Sequence, residues 1–264
     1  MQVTYNRRVL TASLSEIDVL AFIIIPLCLS IAFVIGVWFA WRRSGSPNVA
    51  RATLFAGIGT GAWLTITWQL AASGVLQRWN ATPPPFALLV LTIVLVGLRV
   101  ALGPIGRRFA QTLPLWLLIA VQGFRLPLEM AMHGLYERGI MPVQMSYNGR
   151  NYDILTGATA LVVAVMVYRG ALGVRWVKLW NAIGLVLLIN VVTVAILSTP
   201  RVAYFGAARL STFVTYVPFV WLPAVMVLAA LVGHLMIFRA VRNGVGSHFS
   251  RTLPTERNGS VLEK

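Results

Sequence analysis

Seven stretches of this chain are apolar for long enough to cross the hydrocarbon of a bilayer, and that excludes most other ways of folding its 264 residues. A core about 30 Å thick needs roughly 20 consecutive apolar residues in a helix. Such runs fall near 17–41, 52–77, 86–104, 109–136, 154–174, 176–199 and 213–240. Hydrophobic residues make up 58% of the chain and charged ones 11%, too few charges to clothe a water-facing domain of this size. The pattern predicts an all-α, seven-transmembrane helical bundle. No linker interrupts it, so residues 1–242 read as one bundle. Residues 243–264 are polar, rich in turn formers and without period, and read as a disordered cytoplasmic tail.

The first run follows Arg7 and Arg8 like a leader peptide, yet it is longer than the apolar region of about 7–15 residues in a cleaved signal. It runs from Val19 to Trp41 straight into Arg42 and Arg43, and is read as a retained span. A net charge of +15 would point to nucleic acid in a soluble protein, but the basic residues stand at the ends of the apolar runs. There they report topology, with membrane lipids as the partners and no nucleic acid. With the N-terminus outside, fourteen Lys and Arg fall on the cytoplasmic side and seven on the outer side, so the positive-inside rule selects N-out/C-in.

Against this background the polar block from Gln122 to Gly157 stands out. Ionisable groups are expensive in a bilayer, so Arg125 and Glu129 need partners or a purpose. At about 100° per residue, Gln122, Arg125, Glu129, His133 and Tyr136 lie within one arc of about 80°, a stripe that must face protein rather than lipid. Pro127 cannot donate to the Gly123 carbonyl, which predicts a kink beside Arg125. An Arg-to-Glu pair at i,i+4 is the less favourable order on a helix, so Arg125 is expected to find an outside partner, with Asp153 the candidate. Asn148-Gly149, flanked by alternating residues, predicts a short outer β-hairpin between spans 4 and 5. One face would carry Val143, Met145, Tyr147, Tyr152 and Ile154. The other would carry Gln144, Ser146, Asn151 and Asp153.

Counting rise along the even-numbered spans puts Gln69, Arg125 and Asn190 at one level, with Glu129 and His133 successive turns above. The ligand-binding set is therefore Arg125, Glu129, His133, Asp153, Asn190, Gln69, Tyr136 and Asn151, around an outward-facing polar pocket. Catalytic residues and cofactors are unassigned. Glu129, His133 and Asp153 form a weak alternative as metal ligands, because Glu/His/Asp suits zinc or another borderline ion but only one histidine is present. The single cysteine, Cys28, excludes a disulfide framework within one chain. The last span has no lysine for retinal, Ser146 lacks a Gly-x-Ser-x-Gly setting, and there is no phosphate loop.

The segment Gln122-Gly-Phe-Arg-Leu-Pro-Leu-Glu129 with His133, then Pro142-Val-Gln-Met and Gly149-Arg-Asn-Tyr-Asp153-Ile-Leu-Thr-Gly157, resembles a block found in uncharacterised bacterial multi-pass, seven-span membrane proteins of about this length. The resemblance implies a bacterial inner (cytoplasmic) membrane protein and carries no activity with it. The residues themselves favour binding or transport of a small anionic ligand or lipid headgroup. A membrane-embedded, metal-assisted hydrolase or transferase acting on a lipid or envelope substrate is the alternative, and a structural subunit of a membrane complex the second, so whether the chain is an enzyme stays open.

Overall fold

A computed structural model of the chain describes residues 17–243. Arg7, Arg8 and Glu16, and the tail from 244 onward, lie outside the described residues. The described chain is helical. Its elements are α1 (Ile17–Arg43), α2 (Val49–Ala72), α3 (Pro85–Leu102), α4 (Pro104–Thr112), α5 (Leu115–Val121), α6 (Arg125–Glu137), α7 (Ile154–Tyr168), α8 (Val174–Leu197) and α9 (Leu228–Arg242), with a π-helical stretch, Leu222–Val227, leading into α9. Asp18 in the first turn of α1 and Arg42 and Arg43 in its last complement the helix dipole.

Six helical stretches are long and apolar enough to cross a membrane: Asp18–Arg43, Val49–Ala72, Pro85–Leu102, Leu115–Glu137, Val174–Leu197 and Leu222–Arg242. The chain is a multi-pass membrane protein. The last of these stretches lies at the centre, packed against α3, α4, α5 and α8, while α2 leans on α1 at the periphery. A Cβ placed at Gly57, Gly59 or Gly61 on α2 would meet no described atom within 4 Å beyond its own helix turn, so no neighbouring helix approaches closely at these small residues.

The count of seven spans is corrected by α7. Its 15 residues rise only about 22 Å, because the helix is stopped by a glycine cap. Gly170 takes φ +70°, its N–H donates to the Val167 carbonyl at 3.1 Å, and the Ala171 N–H donates to Met166 at 2.9 Å, closing a Schellman motif. Hydropathy passes over that stop because Ala171 to Val174 is apolar again. The N-out/C-in assignment rested on an odd number of crossings and falls with it.

The outer β-hairpin is also corrected. There is no strand among the described residues. A type I′ turn needs positive φ at both central residues, and neither Asn148 nor Gly149 has it. Val143–Met145 instead forms a 3-10 turn, Gly149 N–H donates to the Ser146 carbonyl at 2.8 Å, and Ile154 is drawn into α7. Gln144, Ser146, Asn151 and Asp153, the polar face of the expected ribbon, are all buried, the last three bonded to helix Arg125–Glu137 and Gln144 to Ser198 and Arg209 of another loop. Their side-chain bonds displace the strand ladder.

Candidate functional site

Between α5 and α6 the chain tightens into a 3-10 turn, Gln122–Phe124, immediately before Arg125 and Pro127. Pro127 leaves the helix ladder short of one donor here, and the 3-10 turn is where the helix adjusts. The close approach of α7 is set by Gly157, where a Cβ would run into the Arg125 and Leu126 backbone. That contact brings the start of α7, and Asp153 just before it, to the level of Arg125.

Arg125 is 1% exposed, and its Nη1 donates to Asp153 Oδ1 at 2.8 Å, the partner that the order on the helix favoured. Asn151 builds the other half of the site. Its Nδ2 donates to Glu129 Oε2 at 2.7 Å and to the Met145 carbonyl at 3.0 Å, and its Oδ1 accepts the Asp153 N–H at 3.0 Å. Asn151 is fully buried and engaged through both ends of its amide, so it fixes the two carboxylates relative to each other. Arg125 Nε and Nη2 have no partner. Those two nitrogens form one edge of the guanidinium plane, the edge that accepts a carboxylate or phosphate side-on in two parallel hydrogen bonds.

Arg125, Glu129 and Asp153 line a chamber of about 320 Å³. The rest of its wall is almost wholly apolar, drawn from α3, α6, α8, the π-helical stretch and the start of α9, with Phe124 from the 3-10 turn and Met145 and Val214 from the irregular connections. The π-helical stretch supplies Leu222, Pro223, Met226 and Val227 to that wall. Such wide turns are rare and concentrate at functional sites. One of their carbonyls, that of Ala224, accepts the Trp63 indole N–H at 2.8 Å, which ties α2 to the chamber's back wall.

The remaining residues expected at the site divide. Asn151 is brought to Glu129 as described. His133 is half-buried outside the chamber wall, with Nδ1 3.0 Å from Ser146 Oγ, Nε2 3.4 Å from Glu137 Oε1 and its ring stacked on Tyr147 at 4.4 Å; Tyr136 lies beside it at 5.7 Å. Asn190 donates to the Arg150 carbonyl at 2.7 Å and fastens the loop to α8. Gln69 is exposed on α2 and does not line the chamber. Rise along a helix fixes level but not bearing, which is why three residues at one depth do not converge.

Two further buried polar groups, Gln144 and His234, stand outside the expected ligand-binding set. Gln144 is buried and its Nε2 donates to Ser198 Oγ at 3.0 Å and to the Arg209 carbonyl at 2.7 Å, joining the two long irregular connections. His234 is buried against Gly184: Asn181 Oδ1 lies 2.8 Å from its Nδ1, and Asn181 Nδ2 donates to its carbonyl at 3.0 Å. Lone Asn and His within otherwise apolar runs were the available signal.

Among the described residues no three His, Cys, Asp or Glu side chains converge as a metal site requires. Glu129 is taken by Asn151, and His133 turns to Ser146 and Glu137. Ser146, His133 and Glu137 do form a hydroxyl–imidazole–carboxylate series. Ser146 is fully buried and absent from the chamber wall, while Glu137 is exposed, so the series pins the loop to α6. No family model, curated protein or solved structure matches the chain.

Proposed function

We propose that the chamber binds an acidic ligand through Arg125, and that the protein is a binding or transport protein of a bacterial inner membrane. One observation carries the reading: a guanidinium 1% exposed lines a cavity while its Nε and Nη2 edge has no partner. A buried donor of that kind is costly unless something satisfies it. A carboxylate or phosphate does so in the geometry the edge is built for. Glu129 stands beside it, so a head group that offers both an acid oxygen pair and an O–H, such as a monoprotonated phosphate or a hydroxy acid, satisfies both. The concentration of Lys and Arg at span ends and the resemblance of the 122–157 block to bacterial multi-pass proteins support the placement.

Thermal unfolding of the purified protein with a carboxylate and phosphate panel tests this. Stabilisation by at least one acid is expected in the wild type and is lost in Arg125→Leu/Asp153→Leu, a pair of changes that removes both members of the ion pair together. An undiminished shift in that variant refutes the proposal.

A further inference from the structure

We infer that the ligand is a single-chain amphiphile that enters the chamber sideways from the bilayer, its acid head on Arg125 and its chain along α8. The inference rests on the acid-binding reading above and adds the chain, the route and the limit to one chain.

The wall decides the first point. The charged residues of this chamber are grouped together, Arg125, Glu129 and Asp153, and the rest of its wall is hydrocarbon but for Thr193, a surface that a free small acid would leave uncovered and an apolar chain would cover. The α8 residues in the wall run from Leu185 to Ile196, about 16 Å along the helix axis. Each methylene laid against that surface adds favourable transfer from water.

The mouth decides the route. Val94 on α3 is 38% exposed, and Ile189 and Ile196 on α8 are 57% and 44% exposed, yet all three also line the chamber. They lie on two helices long and apolar enough to cross the membrane. An opening framed by exposed Val and Ile on such helices faces acyl chains, not water. A ligand already dissolved in the bilayer reaches Arg125 without its chain crossing an aqueous phase.

Volume sets the limit. At about 320 Å³ the chamber is at the small end of the roughly 300–1,000 Å³ of small-molecule sites, which fits one chain and not two.

The test uses the full chain in phosphatidylcholine nanodiscs, with binding read by native mass spectrometry and thermal shift. The probes are dodecyl phosphate, dodecanol, inorganic phosphate and dioleoyl phosphatidic acid. Dodecyl phosphate is expected to bind at least tenfold more tightly than each of the others, and Val94→Trp/Ile189→Trp at the mouth is expected to weaken it tenfold or more. Both positions are exposed, so the fold tolerates the change. A dodecyl phosphate bearing a terminal diazirine is expected to label α8 or the Leu222–Val227 stretch, and labelling confined to α2 overturns the route. Inorganic phosphate binding as tightly as dodecyl phosphate overturns the chain and leaves the acid site standing. Dodecanol binding as tightly removes the acid site and leaves the chain. Equal binding of phosphatidic acid overturns the single-chain limit, and no binding by any probe overturns both readings.

Discussion

Two irregular connections, residues 138–153 and 198–221, pack into the same end of the bundle, and they solve the same problem with opposite chemistry. Backbone that is neither helix nor barrel is tolerated among membrane spans only when protein covers it or it borders a cavity. The first connection meets that demand with polar side chains. Gln144, Ser146, Asn151 and Asp153 are buried, and each bonds a helix or another loop. Of polar side chains the second buries only small hydroxyls, Ser198, Thr199, Ser211 and Thr215, and it packs with rings: Phe219 lies edge-on against Phe22 at 5.1 Å and Phe213 at 5.6 Å, and Trp221 lies 5.1 Å from Trp68. One connection thus delivers charge to Arg125, and the other closes the chamber in hydrocarbon through Val214 and the turns after Trp221. Buried polarity alone does not mark the binding end; the His234 and Asn181 pair is just as deep, yet neither lines the chamber.

The contrast can be broken first at Arg125. Arg125→Leu leaves Asp153 buried without its cation and is expected to cost about 3–5 kcal/mol, read by chemical denaturation in detergent. Asp153→Leu in the same chain should recover much of the loss. Recovery of nothing would mean that the loss does not come from an orphaned Asp153 carboxylate. Phe219→Ala probes the second connection and is expected to cost about 3 kcal/mol, the low end of the usual range for Phe to Ala, because Phe22 and Phe213 border the gap and relax into it. Asn151→Ala comes next at about 2 kcal/mol, since it strips Glu129 and the Asp153 N–H of a partner. It should also reduce the acid-induced thermal shift, which Phe219→Ala should leave nearer to wild type. Gln144→Ala tests whether the two connections act together, with an expected loss of about 1–2 kcal/mol and non-additivity with Ser198→Ala in a double-mutant cycle. Smallest of all, Gln69→Ala should fall within about 0.5 kcal/mol of wild type, as an exposed side chain away from these features does.

Much of the helical framework was legible in hydropathy, because a bilayer leaves so little choice of structure. The polar stripe of α6 was legible as well: Gln122, Arg125 and Glu129 are buried, with His133 and Tyr136 half-buried at its end. What misled was local turn chemistry. Asn148-Gly149 carries the strongest short-range hairpin signal, but Gln144, Ser146, Asn151 and Asp153 gain more from bonds to distant residues than a two-stranded ribbon could return. Their alternation did single out a common polar face. Gly170 carried the end of α7 in plain view, and a hydropathy window averages such a residue away. The chamber had no sequence signal, since its wall is made of the same Leu, Ile, Val and Met that fill every other interface.

The wide turns at Leu222–Val227 accommodate one residue more than an ordinary helix would over the same rise. Deleting a single residue there lets the coil relax to its common form while both flanks keep their bearing, whereas the same deletion inside α9 rotates everything on one side of the excision by about 100° relative to the other. In that second case His234 would swing away from Asn181, though composition barely changes. A one-codon deletion scan should therefore be tolerated best within Leu222–Val227, and in α9 before His234 should yield chains that insert and stay helical while their buried polar contacts come apart, separating the capacity to live in a membrane from the capacity to hold a defined interior.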